Sequence, residues 1–374
     1  MFKRMAFYTT SFAPNSRGTT SFQPMCVRRT LIWGTLIACF ISISAGYAEE
    51  ISVVCVGDIM LTGSVTPFIN KHGVDYPFDK TRDILQAADI AIGNLEMPLA
   101  TVGEPLPDKE YVFRGSPLVA KGIANAGFDV LTLANNHIGD YGDKALLETV
   151  AVLRKHRIQH CGAGADLHKA RKPAIVEAKG KQIAVLGYAT TYPSAFFAGE
   201  GDPGTARGKP KIFVPDIKAT KKRADIVIVT FHWSGELATE PREYQELFGR
   251  MAIDAGADLV FGHHPHVLQG IEVYKGKLIA YSLGNFAFAS FSKKVRTSAM
   301  LRVKFQDKAL ARAELIPLNV FNREVLFQPT VLKAEAAEAV LNTVRALSKK
   351  WETKIVTEND LGVIQLNAPL RTGH

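Results

Sequence analysis

Five short polar clusters in this chain each follow an apolar run, and together they offer the ligands of a divalent metal ion. The clusters are GDIML from Gly57, GNLE from Gly93, NNH from Asn135, FHW from Phe231 and GHHPH from Gly262. Short β-branched runs that end in glycine and polar residues are typical of buried strands. Ligands of open α/β sheets bind beyond the carboxyl ends of the strands, so we expect these clusters to meet there. Carboxylates, amide oxygens and imidazoles suit a divalent metal.

The GHHPH cluster is the strongest single indication of a metal. His264 and His266 stand two positions apart, so on extended backbone their rings would point to opposite sides. Pro265 and the end of the strand can interrupt that alternation and let both rings approach one ion. A surface loop with incidental histidines is the alternative interpretation. No role is predicted for His263.

The remaining clusters offer a proton carrier and further ligands. Asn136 has an amide oxygen, and His137 has a ring that titrates near neutral pH, as a general acid or base requires. Asp58, Glu96 and His232 add two carboxylates and an imidazole at other strand ends. The alternatives are helix caps for the Asn and Asp side chains and a buried, hydrogen-bonded ring for His232.

Two further residues are candidates for binding the substrate. Asn285, in the strand-end sequence YSLGNF, would close the site. Arg114, in FRG, would hold an anionic substrate. A packing turn for Asn285 and a surface ion pair for Arg114 are the alternatives.

Strand-like and helical stretches alternate from residue 51 to about 292, and this alternation predicts an α/β fold. Three segments have the pattern of hairpins, residues 174–187, 271–281 and 298–320. Three others have the pattern of amphipathic helices, residues 142–156, 241–255 and 332–350. The sheet would bring the polar clusters to one edge.

Residues 1–48 have the pattern of an export signal. Arg28 and Arg29 precede an apolar run that ends at Ala48, with small residues where a signal peptidase would cut. An uncleaved membrane anchor and a lipoprotein modified at Cys39 are the alternatives. All three predict a periplasmic or other extracytoplasmic location. Met25 is a second candidate start.

Composition argues against a nucleic-acid partner. The formal charge is +9, but residues 1–48 hold five basic residues and no acid, which leaves 40 basic and 36 acidic side chains in the rest of the chain. No dense basic stripe with interleaved aromatics is present in the sequence. Cys55 and Cys161 lie beyond the export signal, and we predict two unpaired thiols.

The order of the clusters resembles the calcineurin-like metallophosphoesterase superfamily. GDIML, NLE, FRG, LTLANNH, HW, HPHVLQG and YSLGNF are more closely similar to the CapA family, the capsule or poly-γ-glutamate synthesis proteins. The resemblance covers about residues 51–290. It implies a four-layer α/β/β/α sandwich, with two sheets between helices. We therefore predict one domain over residues 49–320 and a C-terminal extension with a helix over 321–374.

The resemblance also implies roles for the site residues. His137 matches the acid that protonates the leaving group. The matched metal ligands are Asp58, Glu96, Asn136, His232, His264 and His266, and His266 would bind the other ion of a binuclear centre. The cofactor would be one or two divalent transition metal ions, Mn, Fe or Zn. Two departures stand out: Met60 replaces the histidine of the usual Asp-x-His, and Glu96 replaces the usual bridging aspartate.

These features predict an exported, metal-dependent hydrolase that cleaves a phosphoester or a polymer amide bond in capsule or poly-γ-glutamate biosynthesis. Its partners would be an anionic polymer or phosphoester substrate and the membrane-bound capsule synthesis machinery. A non-catalytic component of that machinery with a vestigial metal site is one alternative, which Met60 favours. A nucleotidase-like phosphatase for nutrient scavenging is another.

Overall fold

The apolar runs of the sequence form the strands of the fold. The computed structural model describes residues 49–191, 193–233 and 235–366. The predicted export signal, residues 1–48, lies outside these residues. Within the described ranges, no helix has both the length and the apolar character needed to cross a membrane.

The described residues form 18 strands and nine α-helices, joined by short 3-10 turns. The strands are β1 Glu50–Met60, β2 Ile90–Leu95, β3 Val130–Thr132, β4 Gln159–Cys161, β5 Ala163–Gly164, β6 Ala174–Ala178, β7 Lys181–Ala189, β8 Gly204–Thr205, β9 Ile226–His232, β10 Leu259–His263, β11 Ile271–Tyr274, β12 Lys277–Ala280, β13 Asn285–Phe288, β14 Thr297–Gln306, β15 Ala309–Asn319, β16 Thr330–Val331, β17 Ile355–Glu358 and β18 Leu361–Ile364. The helices are α1 Thr66–His72, α2 Arg82–Gln86, α3 Val119–Asn125, α4 Gly142–Lys155, α5 Leu167–Ala170, α6 Pro210–Lys221, α7 Glu243–Ala255, α8 Asn322–Val325 and α9 Ala334–Ser348. The three predicted hairpins and the three predicted helices are confirmed.

Two large mixed sheets carry most of the strands. The ten-stranded sheet has the order β17-β18-β15-β14-β1-β2-β3-β4, with β13 beside the end of β1 and β16 beside β15. The six-stranded sheet has the order β11-β12-β10-β9-β7-β6. The strands that end in polar clusters, β1, β2 and β3 in one sheet and β9 and β10 in the other, pair in parallel with their neighbours in that set. Their carboxyl ends therefore face the same way within each sheet.

The alternation of side chains along β1 shows how the layers form. Val53 and Cys55 pack into a core that side chains of both sheets share, whereas Val54 and Val56 pack toward the helices α1 to α4. The six-stranded sheet likewise packs its outer face against α6 and α7. Helices thus cover both outer faces of two packed sheets, and the predicted four-layer α/β/β/α fold is confirmed.

The C-terminal segment is part of the same sandwich. Helix α9 buries Val340, Leu341 and Val344 in the core between the sheets. The β17–β18 hairpin pairs with β15 and extends the large sheet. The predicted helix of this segment is therefore present, but the domain continues past residue 320 because its sheet does. Its two strands have four residues each, too short for a clear alternating pattern, which explains why they were not predicted from the sequence.

Candidate functional site

The register of the paired strands places the polar clusters of each sheet opposite one another. In the large sheet Asp58 is opposite Asn94 of β2 and Asn285 of β13. In the smaller sheet His232 of β9 is opposite His263 of β10. The prediction that strand ends would gather these side chains holds for both sheets.

The backbone of the GHHPH turn directs two histidine rings toward the same place. His264 has φ 92° and His266 has φ 59°. This left-handed region costs a non-glycine residue roughly 1–3 kcal/mol, and such strain is concentrated at functional sites. Their ring centroids lie 5.7 Å apart. The turn at Pro265 thus overrides the strand alternation, as the sequence suggested.

The side chains form two groups of metal-ligand atoms that share one carboxylate. Within each group the candidate atoms lie within 4.8 Å of one another. The first group contains Glu96, His232 and His264, and the second contains Asp58, Glu96 and His266. Asn136 joins the first group, because its Oδ1 lies 2.8 Å from His232 Nε2. His264 and His266 therefore belong to different groups of candidate ligands, and Glu96 is the residue common to both.

Glu96 has the surroundings of a metal-bridging ligand. Its side chain is completely buried, and its Oε1 has no hydrogen-bond partner among the described residues. That oxygen lies 3.6 Å from His232 Nε2 and 3.8 Å from His266 Nε2. Burial, followed by the charge of Asp58, raises the pKa of Glu96 well above its usual value. A divalent cation would satisfy the orphaned oxygen and favour the ionised carboxylate, so the residues fit such an ion.

The other ligands have strongly shifted pKa values. Burial, together with the charge of neighbouring imidazoles, lowers the pKa of His232 well below its usual value and that of His264 to about 3. Both rings are neutral near pH 7, which is the form that binds metal. Burial would raise the pKa of Asp58, but the imidazoles of His263 and His266 outweigh it and hold that pKa well below its usual range.

Asn94 orients the two carboxylates and is not itself placed as an oxygen ligand. Its Nδ2 donates to Asp58 Oδ1 at 2.9 Å and to Glu96 Oε2 at 3.2 Å. Its Oδ1 accepts a hydrogen bond from Asn135 Nδ2 at 3.0 Å, which fixes the orientation of the amide. The prediction of Glu96 as the ligand of the GNLE cluster agrees with this arrangement.

His263 and Met60 lie on the side of the site that has fewer candidate metal ligands. His263 is buried, and its Nδ1 lies 3.0 Å from Asp58 Oδ1, but neither ring nitrogen is aligned for a hydrogen bond with a described residue. It belongs to neither ligand group. Met60, where the resemblance predicts a histidine, lines the cavity beside the second group. That group has three candidate ligands, whereas the first has four when Asn136 is counted.

His137 is paired with Asp140, a partner that was not predicted from the sequence. His137 Nδ1 lies 2.8 Å from Asp140 Oδ2. Lys109 donates to the other oxygen of Asp140 and, at 2.5 Å, to the carbonyl of Asn136. The spacing of His137 and Asp140 in NNHIGD is a signal that was available, but Lys109 lies in a loop without periodicity. With Nδ1 engaged, Nε2 of His137 is the nitrogen left for proton exchange.

A cavity of about 620 Å³ opens beside these groups, and the two predicted substrate ligands differ in their relation to it. Asn285 lines the cavity, but its Oδ1 lies 2.9 Å from His266 Nδ1, so it orients that ring and leaves Nε2 for a metal. Arg114 does not line the cavity: its guanidinium stacks on Tyr141 and donates to the carbonyl of Gly103. Among the lysine and arginine residues that the structure describes, Lys109 lines the cavity and Arg114 does not.

Comparison with known proteins shows that this chain is similar to one family of bacterial proteins. The family model described as "Bacterial capsule synthesis protein PGA_cap" matches residues 52–290. The "PGA biosynthesis protein CapA" of Bacillus subtilis is 35% identical over 277 residues, which cover 73% of each chain. The "Capsule biosynthesis protein CapA" of Bacillus anthracis is 32% identical over 279 residues, 73% of this chain and 68% of that one. Among solved structures, the calcineurin-like phosphoesterase YfkN of Bacillus subtilis has a TM-score of 0.42 at 14% identity, over 81% of this chain and 97% of that chain. With the family model matching well over half of its length, the chain belongs to the PGA_cap family of bacterial capsule synthesis proteins, the CapA family.

Proposed function

We propose that this CapA-family protein is a metal-dependent hydrolase that cleaves a phosphoester or a polymer amide bond during capsule or poly-γ-glutamate biosynthesis. The observation that carries the proposal is the buried carboxylate of Glu96, shared by two groups of ligand atoms and left with an orphaned oxygen. His137, the proposed general acid, lines the cavity beside these groups.

The residues have distinct chemical roles in this proposal. Glu96, Asn136, His232 and His264 would hold one divalent ion, and Asp58, Glu96 and His266 a second. A bound ion would lower the pKa of a water molecule and neutralise charge on the scissile group. Water would add to phosphorus or to the carbonyl carbon and lose a proton to solvent. As the bond to the leaving group breaks, His137 Nε2 would give its proton to the departing oxygen or nitrogen, while Asp140 fixes the ring through Nδ1.

A non-catalytic role in a capsule synthesis complex is the second candidate. The specific observation in its favour is Met60, which leaves the Asp58 side of the site with fewer ligands than the Glu96–His232 side. In that case the site would bind one ion or none, and the protein would act through its contacts with the synthesis machinery.

Export is a separate part of the proposal. It rests on the basic residues and apolar run that precede Ala48. N-terminal sequencing of the protein from its native host tests it. A mature chain that begins at Glu49 supports a cleaved signal, and an intact, membrane-bound chain supports an anchor.

Metal analysis and an activity screen together test the hydrolase. The full chain is incubated with Mn(II), Fe(II) or Zn(II) and offered phosphoesters and poly-γ-glutamate in parallel. We expect bound metal, turnover by the wild type, and no turnover by His137→Ala despite its bound metal. Wild-type protein that binds no more metal than His264→Ala contradicts the hydrolase and favours the non-catalytic role.

A further inference from the structure

Aromatic and aliphatic side chains form a large part of the wall of the cavity beside the ligand groups. The apolar residues that line it are Met60, Phe113, Leu237, Phe288, Ala289, Phe291 and Val295. Phe113 packs on the ring of His137, with centroids 4.6 Å apart, and Phe288 packs on His266 at 4.9 Å. A leaving group that takes a proton from His137 would therefore have the ring of Phe113 nearby.

The outer end of the cavity is also aromatic. Tyr111 and Phe291 line it, and their side chains are 61% and 45% exposed. Exposed large aromatic side chains at the mouth of a cavity provide contact area for an apolar ligand group. The apolar surface therefore continues from His137 to the rim.

The charges at the cavity oppose a polyanion. Of the described lining residues, Lys109 is the one lysine or arginine, and Asp140 already pairs with it. Glu110 and Glu236 line the mouth and are exposed. Poly-γ-glutamate has one free carboxylate per residue, and like charges across an interface are repulsive.

We propose that this cavity takes a phosphoester whose leaving group is apolar or aromatic, and that it does not take the poly-γ-glutamate chain. The proposal rests on the proposed hydrolase function and narrows its substrate class. The phosphoryl group would lie at the ligand groups, where bound cations offset its charge. The ester P–O bond would break beside Phe113, and the leaving group would depart as an alcohol or phenol with the proton of His137.

Binding of non-hydrolysable phosphonates to the full chain supplied with Mn(II) tests this proposal. Isothermal titration calorimetry compares phenylphosphonate with methylphosphonate, and poly-γ-glutamate is added as a competitor. We expect phenylphosphonate to bind at least about tenfold more tightly, because burial of part of an apolar ring gains roughly that factor. Poly-γ-glutamate should not displace it.

Variants at the rim of the cavity test whether its exposed aromatic side chains cause the preference for phenylphosphonate. The double variant Phe291→Ala, Tyr111→Ala should reduce the preference for phenylphosphonate to about threefold or less and leave the affinity for methylphosphonate unchanged. Leu247→Ala is the control, because Leu247 is 56% exposed but lies outside the cavity lining. It should retain the full preference.

The possible outcomes separate failure of the proposed substrate class from failure of the proposed hydrolase function. Equal affinity for the two phosphonates, no binding of either, or displacement by poly-γ-glutamate overturns the proposed substrate class. A protein that cleaves poly-γ-glutamate also overturns it, although such a protein is still a hydrolase. A preference for phenylphosphonate in a protein that turns over no substrate supports the cavity assignment and contradicts the hydrolase.

Discussion

His137 and Asp140 form a buried pair in which His137 Nδ1 lies 2.8 Å from Asp140 Oδ2. Burial lowers the pKa of His137, and the carboxylate of Asp140 opposes that effect by favouring the protonated ring. The protonated ring is the form that a general acid needs. Asp140 therefore orients His137 and partly offsets the lowering of its pKa by burial.

Asp140→Asn should slow turnover by about 10²–10⁴-fold, the usual contribution of general acid catalysis, without loss of metal. The loss should be larger for a phenyl ester than for a p-nitrophenyl ester, because the better leaving group needs no proton. Steady-state rates with both esters measure the difference. Asp254→Asn, which removes the surface pair with Lys275, is the control and should behave as wild type. An equal loss with both esters would exclude the acid role.

Glu96→Gln should remove bound metal from both positions, because Glu96 is the ligand that the two groups share. His232→Ala and His266→Ala each affect one group and should each retain part of the metal. Inductively coupled plasma mass spectrometry after dialysis measures the content. Glu272→Gln is a matched control, since Glu272 is also buried but pairs with Arg250 and Tyr281. Wild-type metal content in Glu96→Gln would contradict the bridging role.

The fold could be predicted from the sequence where the local pattern of apolar and polar residues matches the burial of the element. Residues 226–232 are a continuous apolar run that ends in His232, and they form a strand buried on both faces. The turn Lys179-Gly180 marks the hairpin of β6 and β7. Residues 355–364 have mixed polarity and form a short hairpin at the edge of the large sheet. The pairing of its strand β18 with β15 depends on tertiary contacts that no local pattern reveals.

The candidate site could be predicted only in part, for a similar reason. Strand ends carry a pattern, so Asp58, Glu96 and His232 could be placed near one another. Lys109 reaches Asp140 from an irregular loop, and its position depends on how that loop folds over the sheet. Arg114 has the right chemistry for an anion, but its stacking on Tyr141 decides where its charge lies.

Native protein should not react with a thiol reagent at Cys55 or Cys161. Both thiols are unpaired and buried in the core between the sheets, as the predicted absence of a disulfide requires. Burial raises the pKa of Cys161 to about 12 and that of Cys55 further, so thiolate is scarce. The full chain with Cys26→Ser and Cys39→Ser should react with Ellman's reagent only after unfolding in guanidinium. Adding Ser116→Cys at an exposed position provides a thiol that should react at once. Rapid reaction without that addition would contradict the buried placement.

Gly57→Ala should destabilise the fold by at least about 1–3 kcal/mol, because β1 and the turn before β13 approach too closely for a side chain. A Cβ at Gly57 would lie 1.8 Å from the carbonyl oxygen of Gly284. That oxygen accepts a hydrogen bond from the backbone N–H of Asp58. The segment at Gly284 therefore cannot move away without shifting Asp58, a candidate metal ligand. Gly201→Ala is the control, since a Cβ there meets nothing within 4 Å. Urea unfolding of the two variants measures the free energy, and equal stability would show that the two segments can separate at little cost.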